Sequence, residues 1–450
     1  MLLGLLILCC GLLGPSLGLE RPCGREGVIV HLFEWPWNAI AQECESVLGP
    51  IGYCGVQISP PNEHIQGSQW WTRYQPVSYT LKSRSGTEEE FKSMVSRCKK
   101  VGVSIIVDLV INHMSAQETK GVGSAGSHFD GSKQEYSEYS HLDFHQPPCE
   151  VNNYKDGNNV RNCYLVGLND LNGGSEYVRS KVSEYAIRLL ELGVGGFRVD
   201  AAKHMWVEDL KAIQDRISEK FPDASYFFEV IYGDGEAIKP EEYVGLGKVT
   251  EFRASSWISC IASQGFECLN GYGQNMLRSG NAFVSVDNHD NQRGHGGDNS
   301  VITHKNPHIY KMASAFLLAH SYGQKRVMSS YYFNDSDQGP PLDSRPKDCN
   351  AWVCEHRWPE IRNMVRFANI VGDSEVLHYQ HKGSVLGFSR GGKGFVAIGY
   401  LGRAMEFYTG LPDGTYCDLI SNCVWNMTIS NGYGTVYKED RRSPVFAIGV

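Results

Sequence analysis

Three acidic residues, Asp200, Glu229 and Asp290, stand at or just beyond the ends of three separate apolar runs, which are Gly196–Asp200, Tyr226–Ile231 and Ala282–Asp287. Carboxyl groups that converge on one cleft suit the cleavage of glycosidic bonds. One protonates the leaving oxygen, and another supplies a negative partner or nucleophile for the cationic sugar. The sequence therefore predicts a glycosidase-type acid cluster, provided that the fold brings the three runs together.

Neighbouring residues strengthen this interpretation. Arg198 and Asp200 are two apart in a strand and face the same way, so the arginine is expected to keep Asp200 ionised for attack. Glu229 follows the apolar residues 226–228, and a less polar setting would hold its proton for general acid work. Alternatively, each acid merely caps a helix or bonds a loop. The three acids together, flanked by Arg198, His113 and His289, favour a site.

Eight short apolar runs punctuate the first 370 residues, and most are separated by segments with apolar residues at helical spacing. This alternation predicts an α/β fold, a TIM (β/α)8 barrel, in which reactive groups lie at the C-terminal ends of the strands. An open doubly wound sheet is the alternative. The absence of a Gly-rich phosphate loop after the first run weakens that reading. The predicted strands are Val28–Phe33, Val56–Ser59, Val103–Ile111, Gly196–Asp200, Tyr226–Ile231, Val249–Phe252, Ala282–Asp287 and Arg326–Tyr332.

Two segments depart from the barrel pattern. After the third strand, residues 113–171 are rich in Gly, Asn, Ser and Tyr and too long for a structureless loop, which predicts a small inserted domain. From residue 372 to 450, short β-like runs with Gly-rich turns predict a separate antiparallel β-sandwich domain. The barrel would then comprise residues 19–112 and 172–371.

The N-terminal stretch and the number of cysteines predict a secreted protein. Residues 1–18 form an apolar stretch too short for a comfortable membrane span and end in small residues, as a signal peptide does. Its removal would leave twelve of the 14 cysteines, an even number typical of disulfides in a secreted protein. The net charge of −8 without a basic stripe argues against nucleic-acid binding. Nothing later in the chain resembles a transmembrane helix.

Four segments carry a resemblance to a known family. Asp108–His113, Gly196–Trp206, Phe228–Ile231 and Phe283–Gly296 resemble the four signature regions of alpha-amylases, and the match runs from about Val28 to the C-terminus. Further segments resemble the animal enzymes in particular, including HLFEW at 31–35, WWTRYQPVSY at 70–79 and WVCEHRW at 352–358.

The resemblance implies roles for individual residues. Asp200 would be the nucleophile, Glu229 the general acid/base and Asp290 the stabiliser of the transition state. His113, His204 and His289 would bond sugar hydroxyls, while Lys203 would line a leaving-group subsite. A sugar-stacking wall would comprise Trp70, Trp71, Tyr74 and Gln75, and the stretch from His295 resembles the family's mobile loop over the cleft. Retaining chemistry further implies roughly 5–5.5 Å between the carboxyls of Asp200 and Glu229.

The resemblance also implies two ions. A calcium site carries over to Asn112, Arg161, Asp170 and His204, with main-chain carbonyls from Arg161 and His204, and it would clamp the insertion to the barrel. A chloride site carries over to Arg198, Asn288 and Arg326. Two guanidinium groups near Glu229 would strip its proton at neutral pH, and a bound anion would offset them. Chloride activation is therefore expected.

The same resemblance implies four disulfides, Cys44–Cys98, Cys149–Cys163, Cys349–Cys354 and Cys417–Cys423. Cys23–Cys54 and Cys260–Cys268 are a guess for the remaining cysteines. The predicted function is a secreted, monomeric, endo-acting alpha-amylase that hydrolyses α-1,4 links of starch and glycogen with retention. A related α-glucosidase or transglycosylase and a catalytically silent glucan-binding protein are the alternatives.

Overall fold

The computed structural model describes Cys23 and residues 27–296, 301–438 and 443–450. The predicted signal peptide, residues 1–18, lies outside the described residues. Eight parallel strands close into a barrel, as the sequence predicted. They are β1 (Ile29–Leu32), β2 (Gly55–Ile58), β3 (Ser104–Leu109), β4 (Gly196–Val199), β5 (Ser225–Phe228), β6 (Lys248–Thr250), β7 (Ala282–Val284) and β8 (Gln324–Ser329).

The interior of the barrel is built in layers. At its N-terminal end, Ile29, Ile106, Phe227 and Phe283 come from the odd strands β1, β3, β5 and β7 and form one apolar cluster. Such a layer of four side chains from alternate strands is the expected packing of this fold. On the even strands, Arg198 and Arg326 are both buried within the barrel. The barrel interior therefore contains an apolar layer at one end and buried charged side chains nearer the other.

The described residues contain eight α-helices of six residues or more, and their sequences explain where several of them begin. They are α1 (Trp37–Glu43), α2 (Glu88–Lys100), α3 (Gly157–Asn162), α4 (Glu176–Glu191), α5 (Val207–Ser218), α6 (Phe252–Ser259), α7 (Pro307–Ala319) and α8 (Pro359–Val371). A capping box fixes the start of α2, since Thr87 Oγ1 accepts from Glu90 N and Glu90 Oε2 accepts from Thr87 N. Proline opens α7 and α8, where its missing N–H costs nothing.

One connection differs from the predicted alternation of strand and helix. Between β5 and β6, all of whose residues are described, the chain forms only a single 3-10 turn, Pro240–Glu242. This segment instead runs along the mouth of the barrel, where it meets the insertion. Arg161 of α3 donates to Glu242 at 2.9 Å and to the Tyr243 hydroxyl at 2.9 Å. In place of a helix, this segment supplies contacts that hold the insertion.

The insertion after β3 is anchored by short antiparallel pairs. His113–Ala116 pairs with Leu168–Asp170, which returns the chain to the barrel beside its point of departure. A second pair joins Lys120–Val122 to His128–Asp130. The Cys149–Cys163 disulfide closes the stretch that contains α3.

The C-terminal part forms two four-stranded antiparallel sheets that face each other. The first has the order β9-β10-β11-β16 and the second β12-β15-β14-β13. Apolar residues from both sheets, such as Phe395, Phe407 and Phe446, form a separate core between them. The strands are β9 (Val376–Lys382), β10 (Val385–Arg390), β11 (Gly394–Gly399), β12 (Met405–Tyr408), β13 (Gly414–Cys417), β14 (Asn426–Ser430), β15 (Tyr433–Val436) and β16 (Val445–Gly449).

All six disulfides that the sequence suggested are present. The four implied by the resemblance are confirmed, and the two guessed pairs, Cys23–Cys54 and Cys260–Cys268, also form. Among the described residues, no helix is both long enough and apolar enough to cross a membrane.

Candidate active site

The three predicted acids meet in one cavity at the C-terminal mouth of the barrel. Asp200 and Glu229 directly follow β4 and β5, and Asp290 lies a few residues beyond β7. The backbone ladder continues into the first two, since Asp200 N donates to Leu109 O at 3.0 Å and Glu229 N to Val199 O at 3.1 Å. All three side chains line a cavity of about 530 Å³. The three acids that stand at separate strand ends in the sequence therefore share one cavity.

Arg198 is buried beside this cavity and contacts three carboxylates, two of which line it. Its Nη1 lies 2.5 Å from Asp200 Oδ1 and 2.6 Å from Asp108 Oδ1, and its Nη2 forms an ion pair with Glu229. Asp108 was not predicted as a site residue, although it ends β3 within a signature segment. Glu229 Oε2 also accepts from Ala201 N at 3.0 Å. One guanidinium therefore fixes the positions of the two groups that would carry the chemistry.

Burial dominates the titration of these acids. It raises the pKa of Asp200 well above its ordinary value, with nearby carboxylates adding to the effect and Arg198 opposing it. Burial and Glu229 likewise raise the pKa of Asp290 to about 7. The prediction that Arg198 keeps Asp200 ionised is therefore incomplete, because desolvation is the larger effect. Three acids contact one guanidinium and the carboxyl of Asp290 lies in the same cavity, so the charge of Arg198 offsets only part of the effect of burial on Asp200 and Asp290.

Aromatic and histidine side chains form the wall above the acids. Trp70, Trp71, Tyr74 and His289 line the cavity, and the rings of Tyr74 and His289 stack at 5.2 Å. His113, Lys203, His204 and His295 line it too. Gln75 does not line the cavity; its Oε1 accepts from Ala116 N at 3.0 Å and so joins the wall segment to the insertion.

Three histidines of this wall, His113, His204 and His289, are held neutral at pH 7 by burial. Burial lowers the pKa of His113 to about 4 and that of His204 to about 4, and it lowers the pKa of His289 well below its ordinary value. His289 Nδ1 is buried without a hydrogen-bond partner. A neutral imidazole can both donate and accept, which matches the needs of a sugar hydroxyl.

Part of the cavity wall, including Tyr154, Glu236 and Val166, was not predicted from the sequence. Lys203 Nζ lies 2.6 Å from Glu236 and 4.4 Å from the centre of the Tyr154 ring, and all three line the cavity. Val166 is 80% exposed at the rim and adopts a positive φ of 47°, which is rare for a β-branched residue. These residues lie in loops, where hydrophobic periodicity carries no signal.

The wall segment is held by a buried ion network that the sequence also did not reveal. Arg84 Nη1 donates to Glu34 Oε2 at 3.1 Å, while its Nη2 donates to Gln69 O at 2.9 Å and to Thr72 Oγ1 at 2.6 Å. Arg73 lies 3.6 Å from the second oxygen of Glu34. The network thus ties the segment of Trp70 and Tyr74 to the end of β1.

Comparison with known proteins identifies the family. The family model "Alpha amylase, catalytic domain" matches residues 52–241. An alpha-amylase of Tribolium castaneum is 46% identical to this chain, with 96% of this chain and 94% of that protein covered. An alpha-amylase-related protein of Drosophila bipectinata is also 46% identical, covering 95% and 94%. The chain belongs to the alpha-amylase family. The parallel barrel and the acid trio of this alpha-amylase family enzyme agree with that assignment.

Solved structures of alpha-amylases show the same fold. A mutant of alpha-amylase I from Eisenia fetida, in complex with maltohexaose, superposes with a TM-score of 0.89 at 39% identity. The alignment covers 96% of this chain and 98% of that one. Because nearly the whole of both chains is aligned, the similarity extends beyond the barrel to the C-terminal sheets.

The residues implied for a calcium site in the alpha-amylase family lie together. Burial raises the pKa of Asp170 to about 7, its Oδ2 lies 2.6 Å from His145 Nδ1, and its Oδ1 is buried without a partner. Asn112 lies close enough to Asp170 to oppose this rise in its pKa, and its Nδ2 contacts His113 Nδ1 at 3.2 Å. An unpartnered buried carboxylate oxygen beside an amide fits a hard cation.

The other two predicted calcium residues adjoin this pair. His204 Nδ1 contacts Val160 O at 2.9 Å, which brings it to the last turn of α3 next to Arg161. The guanidinium of Arg161 binds Glu242 and Tyr243, and the main-chain carbonyl oxygen of Arg161 is the atom that it can offer to a cation. Among the described residues, no three His, Cys, Asp or Glu side chains cluster as a metal site.

The residues implied for chloride in this alpha-amylase also fit an anion. Arg326 is buried, forms no ion pair with a carboxylate in the described part of the chain, and has an unpartnered Nε. Burial, followed by the charge of Arg198, lowers the pKa of Arg326 to about 10. Asn288 Oδ1 already accepts from Asp290 N and Asn291 N, each at 2.8 Å, so its amide N–H groups remain as donors. An anion here would relieve the repulsion between two guanidinium groups.

Proposed function

We propose that this enzyme hydrolyses internal α-1,4-glucosidic bonds of starch and glycogen with retention of configuration. The observation that carries the proposal is the meeting of Asp200, Glu229 and Asp290 in one aromatic-walled cavity, with Arg198 contacting both Asp200 and Glu229. Carboxylates that share one guanidinium are close, which supports the short separation that retaining chemistry needs.

In the first step, Glu229 donates its proton to the glycosidic oxygen while an Asp200 oxygen attacks the anomeric carbon. The glycosidic bond breaks, the leaving chain takes the proton, and a glycosyl ester forms on Asp200. Asp290, on the opposite strand end, supplies negative charge to the oxocarbenium-like centre. The neutral rings of His113 and His289 bond the sugar hydroxyls.

In the second step, Glu229 acts as a base. It removes a proton from water, the water oxygen attacks the anomeric carbon, and the ester bond to Asp200 breaks. Two displacements at one carbon return the original anomer. Trp70, Trp71 and Tyr74 would stack on the faces of glucosyl rings and exclude bulk water from the ester.

Two ions would complete the enzyme. Asn112, Arg161, Asp170 and His204 would hold calcium, which supplies a fixed link between insertion and barrel. Arg198, Asn288 and Arg326 would hold chloride, which supplies negative charge near Glu229. The six disulfides support secretion, because such bonds persist in oxidising compartments. We further propose that the chain acts as a monomer. Its domains would be the barrel, residues 19–112 and 172–371, the inserted domain, residues 113–171, and the C-terminal β domain, residues 372–450.

The decisive experiment is product analysis on soluble starch and on reduced maltoheptaose. Endo-action predicts mixed short oligosaccharides and an early loss of iodine staining, with the α-anomer released first in proton NMR. Glucose as the sole early product would favour an α-glucosidase, and longer transfer products a transglycosylase. An absence of any cleavage would favour a silent glucan-binding protein.

A further inference from the structure

Arg293 is a buried cation behind the acid trio. It ends a short 3-10 turn, Asn291–Arg293, that directly follows Asp290, and only 7% of it is exposed. Its Nε is buried without a hydrogen-bond partner, and within the described part of the chain it forms no ion pair with a carboxylate. Burial of a charged group is costly unless its surroundings compensate the charge. Groups other than carboxylates must therefore stabilise this guanidinium.

Four aromatic rings surround the guanidinium of Arg293. Its central carbon lies 4.1 Å from the ring centre of Phe333, 5.0 Å from those of Phe33 and Tyr331, and 5.6 Å from that of Trp70. The faces of such rings attract a cation, and most strongly where water is excluded. Phe33 follows β1, Trp70 belongs to the wall segment, and the other two rings follow β8. The rings therefore fix the charge relative to three separate parts of the barrel mouth.

Arg293 also holds the main chain of the two residues that precede its turn. Its Nη1 donates to His289 O at 2.9 Å, and its main-chain N–H donates to Asp290 O at 2.9 Å. The side chains of His289 and Asp290 both line the catalytic cavity, and His289 Nε2 lies 3.3 Å from Asp290 Oδ2. The orientation of both side chains is therefore tied to the position of one guanidinium.

The ring of His289 packs against the same aromatic group. It stacks on Phe33 at 5.0 Å and meets Trp70 edge to face at 5.6 Å. A planar guanidinium can lie over aromatic rings while its N–H groups donate in fixed directions, whereas the ammonium of a lysine is a compact point charge. The arrangement thus needs the shape of arginine as well as its charge.

We propose that Arg293 is a positioning residue for bond cleavage. Its guanidinium, fixed among the four rings, holds the main chain of His289 and Asp290 so that both side chains meet the sugar correctly in the transition state. Arg293 itself does not line the catalytic cavity, so it acts through the two residues that do. The inference rests on the proposed glucan hydrolysis, because it assigns a role within that reaction.

The proposal predicts a particular kinetic signature. Asp290 would stabilise charge that develops only in the transition state, so its displacement lowers kcat. Ground-state binding of a glucan depends on many other contacts along the aromatic wall, so KM should change little. A merely structural role would not separate the two constants in this way.

Two substitutions of Arg293 and one matched control test the proposal. Arg293→Met removes the charge and the donors but leaves an unbranched chain among the rings, and Arg293→Lys keeps the charge without the planar fork. The control is Arg390→Met, because Arg390 is also buried and donates to main-chain carbonyls, those of Ala319, Gly372 and Ser374, where the C-terminal sheets meet the barrel. The measurements are kcat and KM on maltoheptaose, well below each variant's melting temperature by circular dichroism.

For Arg293→Met we expect kcat to fall about 100-fold, the cost of misplacing a reacting group by about 1 Å, with KM within about threefold of the wild type. Arg293→Lys should lose about tenfold in kcat, again with little change in KM. Arg390→Met should melt at a lower temperature and keep its kcat.

Three results would overturn the proposal: a folded Arg293→Met variant with near-normal kcat, a rise in KM as large as the fall in kcat, or an equal loss of kcat in Arg390→Met. If Arg293→Met does not fold, Arg293→Lys decides by the same criteria. A wild-type enzyme that does not cleave maltoheptaose would instead refute the proposed function.

Discussion

The guanidinium of Arg198 forms an ion pair with the carboxylate of Glu229 beside the catalytic cavity. A fixed positive charge stabilises the ionised carboxylate, whereas general acid catalysis needs the protonated form. The contact therefore opposes the first chemical step and favours the second, in which Glu229 acts as a base. It also explains why a compensating anion near Arg326 would matter to this site.

Replacement of Glu229 by Gln should lower turnover on starch by about three orders of magnitude or more, because the amide can neither donate nor remove the proton. Binding of maltoheptaose should persist, since the shape of the cavity is kept. Glu184→Gln, at a 61% exposed side chain of α4, is the control and should leave turnover unchanged. Near-normal turnover of the Glu229 variant would remove its acid/base assignment.

Removal of chloride should lower activity at neutral pH about tenfold or more, because Arg198 and Arg326 then act unopposed on the proton of Glu229. The measurement is the initial rate on soluble starch at pH 7 in a chloride-free HEPES buffer, with and without added chloride. Arg326→Gln should abolish the response to chloride. Arg345→Gln, at a 74% exposed side chain, should keep it. An equal rate in both buffers would reject the chloride site.

Chelation of calcium should lower the melting temperature by about 5–10 °C, as expected when a tightly bound ion is lost from a protein of this size. Asp170→Asn should lose most of this response, because it removes the only carboxylate of the proposed site. Asp223→Asn, at an exposed position, should retain it. If chelator shifts the melting of the wild type and of Asp170→Asn equally, the ion lies elsewhere.

Stability should depend on pH through Asp290. Its pKa is raised from 3.8 to about 7 in the folded protein, chiefly by burial. Between these values the unfolded chain is ionised while the folded one holds the proton, so the folded state loses stability as pH rises from about 4 to 7. The Asp290→Asn variant has no titratable group at this position, so its folded state should lose less stability over the same pH range.

The expected gain of Asp290→Asn over the wild type is on the order of 1–4 kcal/mol at pH 7 and close to zero near pH 4. Denaturant unfolding at both pH values measures it, with Asp223→Asn as the control that should show no such difference. Catalytic activity should fall in the same variant. A gain of equal size at both pH values would show that desolvation of Asp290 is not its cause.

Prediction succeeded where the pattern is local and regular. All eight barrel strands were found, because each is a short buried run whose ends are marked by polar residues. No helical segment was predicted for the link between β5 and β6, and the structure forms only a 3-10 turn there. Its residues contact α3 of the insertion, and contacts between distant segments leave no periodicity in either of them.

The sequence by itself determined the barrel, the reactive groups at its strand ends and the alternation that makes Arg198 and Asp200 face the same way. Those features follow from period-two and period-3.6 patterns, which are properties of neighbouring residues. Only the tertiary structure decided that Arg198 also reaches Glu229, that burial outweighs its charge at Asp200, and that Arg293 is buried among four aromatic rings. Distances between strand ends and the exclusion of water depend on how the closed barrel packs, and no local pattern encodes them.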